Sequence, residues 1–176
     1  MTEWKVKMNR KYTTKYISLI GLLSAFAIII SYIESLIPID IGIPGVKLGL
    51  ANIVIVLSIY LLDAKSAIII NIIRIIIIGA FFGNVFSIIF SITGALFSFI
   101  VMIILKRIKN GSIMGVSVCG GVSHNLSQLV VASFIVNTYN INYYLPFMII
   151  GGIITGILIG TLSMIIYNRI RKIHLN

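Results

Sequence analysis

Six long apolar segments, separated by short polar or basic stretches, dominate the pattern of this chain. Most are close to the roughly 20 residues that a helix needs to cross the hydrocarbon core of a membrane. The second segment is short for a full crossing, so it either begins inside the preceding loop or tilts little. The pattern predicts an all-α protein with six transmembrane helices, at Ile17–Ile37, Leu50–Leu62, Ala67–Phe82, Val85–Leu105, Ile113–Val136 and Leu145–Tyr167.

Positive charge is concentrated at alternate connections between these segments. Twelve of the 14 Lys and Arg residues lie in four clusters, within residues 5–15, at 65, within 106–109 and within 169–172. Because cytoplasmic loops of membrane proteins are enriched in Lys and Arg, this alternation predicts that both termini are cytoplasmic. We therefore expect a basic N-terminal segment over 1–16, a membrane domain over 17–168 and a basic tail over 169–176.

The composition agrees with a membrane protein. Hydrophobic residues make up 59% of the chain and charged residues 10%, whereas soluble domains average about 25% charged residues. The net charge of +10 lies beside the apolar segments, which favours orientation and anionic lipid over nucleic acid. The single cysteine cannot form an intrachain disulfide. The two histidines lack cysteine partners at metal-ligand spacing, so we expect no metal site and no cofactor.

Two charged residues lie inside the predicted helices. Arg74 is near the middle of the third, and an arginine at that depth must face a cavity, a partner or the interior of the bundle. Glu34 lies in the last turn of the first helix. These two residues either form a structural pair or line a ligand pocket. Glu34 alone could instead extend to the membrane interface.

The fifth segment carries a dense group of polar residues. His124 and Gln128 are four residues apart and share one helix face, and Asn125 adjoins it. These groups either recognise the polar part of a ligand or hydrogen bond between helices. Asn52 and Lys47 would lie at the mouth of such a pocket if the loop between the first two helices folds inward. Lys47 is otherwise a solvated loop lysine.

Small residues at four-residue spacing mark surfaces where helices approach closely. Gly21 and Ala25 show this spacing in the first segment, and Gly152, Gly156 and Gly160 show it in the sixth. Most such surfaces pack within one chain. The pair in the first segment could instead receive the helix of a partner protein.

Five stretches together resemble one bacterial membrane family, the heptaprenyl diphosphate synthase component I or Gx transporter family. They are LLSAFAIIISYIESLIP, PGVKLGLANI, RIIIIGAFFGN, SVCGGVSHNLSQLVVA and YLPFMIIGGIITGILIG. That family is similar to the substrate-binding S-components of energy-coupling factor (ECF) transporters, which are six-helix proteins of the bacterial cell membrane. The resemblance implies a ligand pocket near the outer face, and a T-component and two ATPases as partners. It also implies that Gly21 and Ala25 contact the T-component.

Three functions follow from these observations. The first is an S-component-like binding subunit for a vitamin-, flavin- or isoprenoid-like molecule, with Glu34, Lys47, Asn52, Arg74, His124, Asn125 and Gln128 at its site. The second is a subunit of a prenyl diphosphate synthase. Such enzymes hold Mg²⁺ through clustered aspartates, and this chain has only Asp40 and Asp63, so we expect no catalysis by the chain alone. The third is an accessory protein for quinone synthesis or extracellular electron transfer.

Overall fold

The computed structural model describes residues 14–37, 49–108, 111–136 and 143–173, and this part of the chain is helical. Six α-helices follow one another: α1 (Thr14–Leu36), α2 (Asn52–Leu61), α3 (Ala64–Phe82), α4 (Val85–Arg107), α5 (Ile113–Val136) and α6 (Leu145–Ile173). Five of them are long and apolar enough to cross a membrane, and α2 is the shorter one. The all-helical class is confirmed for the described residues, and the five long apolar helices agree with a multi-pass membrane protein, whereas the count of six crossings and the placement of the termini stay predictions.

The observed helix boundaries differ from the predicted ones by a few residues. Both α1 and α3 begin three residues earlier than expected, and α6 continues through the basic residues to Ile173. Arg171 and Lys172 lie in its last turn. Lys and Arg are good helix formers and interact favourably with a helix C-terminus. Hydropathy therefore marks where the apolar segment ends, but it does not mark where the helix ends.

The short helix α2 lies at the centre of the bundle. Eight of its ten residues are buried, and it contacts α1, α3, α5 and α6. At 1.5 Å per residue it is about 15 Å long, roughly half the thickness of a bilayer core. Non-helical backbone at membrane depth is tolerated where surrounding protein supplies its hydrogen bonds. The enclosure of α2 by other helices lets a helix too short to cross the core by itself lie at the centre of the bundle.

At its C-terminus, α2 is held by a cation. The Lys106 ammonium donates a hydrogen bond to the carbonyl of Ile59 and lies 4.9 Å from the centre of the Tyr60 ring. Both contacts place positive charge against the negative end of the helix dipole. The Tyr60 hydroxyl in turn donates to the Gly111 carbonyl over 3.2 Å. This end of α2 is thereby fixed to the α4–α5 connection.

The two ends of the bundle differ in charge. The C-termini of α1 and α3 and the N-termini of α2 and α4 lie at the same end of the bundle as Glu34. We call this the Glu34 end. The opposite end contains the α2–α3 turn, and we call it the Asp63 end. Its described cations are Lys65, Lys106, Arg107, Arg169, Arg171 and Lys172. The positive-inside rule predicts that the Asp63 end is cytoplasmic.

Glycines allow α5 and α6 to approach until their backbones touch. A Cβ atom added to Gly152 would lie 2.7 Å from the Val122 Cα, and one added to Gly156 would lie 2.6 Å from the Val118 Cα. The Ser117 hydroxyl also donates to the Gly156 carbonyl over 2.8 Å. The small-residue series in the sixth segment is therefore an intramolecular packing surface, as most such series are.

Asp63 caps α3, as its position in the sequence suggests, and its replacement tests the cap. Its carboxylate accepts hydrogen bonds from the Ser66 backbone N–H at 2.8 Å and from the Tyr16 hydroxyl at 2.7 Å. Partial burial acts to raise the pKa of Asp63, but the hydrogen bonds from Ser66 and Tyr16 outweigh it and hold the pKa below its ordinary value. We expect Asp63→Ala to lower the free energy of unfolding by about 1 kcal/mol at pH 7.

The pH dependence of this effect follows from the lowered pKa. A carboxylate with a depressed folded-state pKa contributes stability above its unfolded pKa of about 4, and this contribution disappears as the pH falls through the folded value. The difference between the original protein and Asp63→Ala should therefore shrink in acid, as measured by thermal unfolding in detergent. Asp63→Asn, which keeps a capping oxygen, is the control. A difference of equal size at pH 7 and pH 3 would contradict this role.

Candidate functional site

Glu34 lies inside the bundle and binds the backbone at the start of the α2 region. Its side chain is only 3% exposed, and its Oε1 accepts a hydrogen bond from the Gly49 N–H at 2.5 Å. This contact disagrees with the alternative in which Glu34 extends to the membrane interface. Gly49 has φ +76°, a left-handed conformation that glycine adopts without the steric cost of a Cβ. Gly49 was not among the residues predicted from the sequence, although it lies in the loop between the first two predicted helices.

Gly49 brings three of the predicted site residues together. A Cβ atom added to it would lie 3.0 Å from the Asn52 Nδ2 and 3.3 Å from the His124 Cδ2. Asn52 and His124 therefore face the same glycine whose N–H binds Glu34. All three side chains are at least 95% buried. We call Glu34, Gly49, Asn52, His124 and Gln128 the Gly49 cluster.

His124 is positioned by α4 and by its own helix. Gly94 on α4 lies directly against the imidazole, because a Cβ atom added there would be 2.6–2.9 Å from three of its ring atoms. The His124 Nε2 lies 3.2 Å from the Gln128 Nε2, which confirms that residues four apart on α5 share one face. Gln128 is fully buried, and its Oε1 has no hydrogen-bond partner within the described residues. The cluster therefore keeps an unused acceptor at membrane depth.

Asn125 belongs to a different surface of α5. Its Nδ2 donates to the Met148 carbonyl of α6 over 3.0 Å. A residue next to His124 in sequence is rotated by about 100° around the helix, which turns Asn125 towards α6. Its observed contact is the interhelical hydrogen bond that the sequence analysis held open as the alternative to ligand recognition.

Arg74 is buried and hydrogen bonds to neutral side chains. Its Nε and Nη2 donate to the Asn71 Oδ1 over 3.1 and 2.6 Å, and its Nη1 donates to the Ser31 hydroxyl over 3.2 Å. Glu34 acts on it through its charge rather than through a hydrogen bond. Asn71 and Ser31 were not selected from the sequence. The three-residue spacing of Asn71 and Arg74 places both on one helix face and was a usable signal.

A small cavity lies beside the Arg74 side chain, between α1, α3 and α4. It has room for about one water molecule. Polar groups make up half of its lining: Ser31, Arg74, Ser87 and Ser91, together with Ile75, Ile78, Gly79 and Ile88. A buried guanidinium and three serines around one void form a group of hydrogen-bond donors, the chemistry that binds an oxyanion.

The remaining predicted site residues have other positions. Lys47 lies outside the described residues. Gly21 and Ala25 are exposed on α1, and a Cβ atom added to Gly21 would meet nothing within 4 Å. Their surface is therefore not occupied by the described part of this chain. Within that part, no group of three or more His, Cys, Asp and Glu side chains is placed to hold a metal ion.

These features define a helical membrane protein with a buried polar site towards one end of its bundle. The chain belongs to the family described as heptaprenyl diphosphate synthase component I, which matches residues 23–166. The resemblance seen in the sequence is thereby confirmed at the level of the family. No curated protein and no solved structure matches the chain.

Proposed function

We propose that this protein is a non-catalytic binding subunit of the membrane. By this proposal it captures a small molecule with an anionic group at the Glu34 end, which faces outward, and transfers it to partner proteins for ATP-driven uptake. The chain would thus act like the S-component of an ECF transporter, in a bacterial cell membrane. Residues of the Gly49 cluster and Arg74 would bind the molecule.

The observation that carries this proposal is the environment of Arg74. A charged side chain at membrane depth is costly, so it is expected to have a functional partner. Arg74 is 94% buried, and its hydrogen bonds go to Asn71 and Ser31, which are neutral. The Glu34 carboxylate acts on Arg74 through its charge, but its described hydrogen bond goes from Oε1 to the Gly49 N–H rather than to the guanidinium. Arg74 is thus prepared for an anion from outside the chain.

The size of the cavity adds a condition to the proposal. Pockets for vitamin-sized ligands measure about 300–1,000 Å³, whereas the space beside Arg74 holds about one water molecule. A ligand of that size would enter only if α1, α3 and α4 move apart. The described conformation would then be a closed one, and binding would select a more open one.

The exposed surface of α1 supports a membrane-embedded partner. Gly152 and Gly156 of α6 pack against α5 within the chain. Gly21, in contrast, has open space beside its Cα, and Ala25 is exposed one turn further along α1. Small residues let a second helix approach closely. By the proposed orientation both residues lie in the cytoplasmic half of the membrane. This surface would receive the helix of a T-component, which would bring the two ATPases.

The test is native mass spectrometry of the protein purified gently from its own membranes. We expect an anionic small molecule on the original protein and on the double variant Gly21→Leu/Ala25→Leu. Only the original protein should retain partner chains, because leucine side chains would block the close helix contact. His124→Ala should lose the small molecule. If no small molecule co-purifies with the original protein, the proposed binding function is wrong.

A second function is favoured by the description of the family, which names one component of a prenyl diphosphate synthase. A component without a metal site of its own would serve as an accessory to a catalytic partner, for instance in isoprenoid or quinone synthesis. In the experiment above, this function predicts co-purification with a soluble synthase subunit instead of ATPases. Retention of the subunit should not depend on Gly21 or Ala25.

A further inference from the structure

More hydrogen-bond donors surround the cavity beside Arg74 than the protein itself uses. A guanidinium has five N–H groups, and three of those of Arg74 are directed at Asn71 and Ser31. Two N–H groups therefore remain available. The Arg74 side chain lines the cavity together with Ser31, Ser87 and Ser91. Each serine adds one O–H donor, which gives a total of five.

Ser87 and Ser91 of α4 differ from most serines in the bundle, although the hydroxyls of Ser24 and Ser98 also have no partner among the described residues. Helical serines commonly bond to a carbonyl of the preceding turn. Ser58, for example, bonds to the Val54 carbonyl at 2.7 Å, and Ser133 bonds to that of Val130 at 2.7 Å. Among the described residues, the hydroxyls of Ser87 and Ser91 have no such bond; the hydrogen bond of Ser87 is made by its backbone N–H. These two residues are four apart and share the helix face that lines the cavity.

We propose that this cavity, once α1, α3 and α4 have moved apart, is a subsite for a phosphate monoester group. The donor count favours phosphate over carboxylate. A carboxylate has two oxygens, which accept at about four lone-pair positions, whereas a phosphate monoester has three strongly accepting oxygens, which by the same count offer at least about six positions. The inference rests on the proposed function and adds to it the chemical class of the bound group. Ser87 and Ser91 become specificity-determining residues, beside Arg74, which supplies the charge.

Glu34 is a buried acid that acts on Arg74 through its charge, although it is not among the residues that line the cavity. Its carboxylate acts on the Arg74 guanidinium and is held by the Gly49 N–H. A negative charge there weakens the attraction for a dianion. Glu34→Gln should therefore bind a phosphate monoester more tightly than the original protein does, and the gain should depend little on salt because both Glu34 and Arg74 are buried.

The experiment compares two probes of equal chain length, hexyl phosphate and hexanoate. Binding to the full chain is measured by calorimetry in phosphatidylcholine nanodiscs. We expect the phosphate to bind at least about tenfold more tightly, and Ser87→Ala/Ser91→Ala to lower its affinity about tenfold or more through two lost hydrogen bonds to a charged group. Hexanoate affinity should change little. Ser123→Ala/Ser133→Ala, which removes two hydroxyls that bond to their own helix, is the matched control.

A second arm separates a lipid headgroup from a free phosphate. Phosphatidic acid in the nanodiscs presents a phosphate monoester on a lipid. If this lipid competes with hexyl phosphate, the occupant of the subsite is a lipid headgroup. Lack of competition would assign a free molecule, and both results support the subsite. Equal affinity for the two probes, or hexyl phosphate binding unchanged in Ser87→Ala/Ser91→Ala, would overturn it. These failures leave the co-purifying molecule of the proposed function intact, so the two proposals fail separately.

Discussion

Replacing Arg74 with alanine is expected to weaken binding of the anionic molecule by about 100-fold or more. The guanidinium would give the ligand two charge-assisted hydrogen bonds, each contributing about 1.5–3 kcal/mol, and every 1.4 kcal/mol corresponds to a tenfold change. The variant should still fold and insert, because removal of a buried charge also removes the cost of placing it in the membrane. Affinity is measured by calorimetry in nanodiscs, and folding by thermal unfolding in detergent.

Two further variants show whether the effect comes from charge or from geometry. Arg74→Lys keeps the charge but loses the planar fork that donates to Asn71 and to an oxyanion together, so it should recover only part of the affinity. Arg169→Ala removes an exposed arginine at the Asp63 end and should bind as the original protein does. Unchanged affinity in Arg74→Ala would contradict the assignment of Arg74 to the site.

The second large effect is expected from Gly152→Ala. The new methyl group would lie 2.7 Å from the Val122 Cα and 2.9 Å from the Val122 N. Both are backbone atoms of α5, so the whole helix must shift. Overpacking typically costs about 1–3 kcal/mol, and the shift would also lengthen the 3.0 Å hydrogen bond from Asn125 to Met148. The variant should unfold at a clearly lower temperature in detergent.

The neighbouring glycine provides the control on the same helix. A Cβ atom added to Gly151 would meet only the Asn125 Nδ2, at an ordinary 3.7 Å. Alanine is preferred over glycine inside a helix by up to about 1 kcal/mol. Gly151→Ala should therefore be neutral or slightly stabilising. If both alanine variants unfolded at the same temperature, the close backbone contact between α5 and α6 would not be what stabilises this pair.

The helices and their approximate limits could be predicted because hydropathy and charge are local properties. A segment such as Val85–Leu105 is selected for the membrane by its own residues, and the observed helix differs from the predicted one only by two residues at its end. The Asp63 cap and the shared face of His124 and Gln128 are also local, since they depend on spacing within one helix. The residues of the candidate site could be selected because a charged or polar side chain at membrane depth is rare.

The grouping of those residues could not be predicted in the same way. Asn125 and His124 are neighbours in sequence, but one binds α6 and the other lies against Gly94 of α4. Their separation depends on the rotation of α5 relative to both helices, which is a property of packing between segments far apart in sequence. Gly49, Ser87 and Ser91 were not recognised because small residues are common and have no distinctive chemistry on their own.

The sequence by itself therefore determined the class of this protein, its family and which charged and polar residues lie within the apolar segments. The reason is that the cost of transfer into a bilayer is set residue by residue and sums over a segment. Only the tertiary structure decided that Arg74 binds Asn71 and Ser31, that Glu34 binds Gly49, and that serines of α4 line the same cavity. Those contacts join different helices, so their distances exist only once the helices have packed.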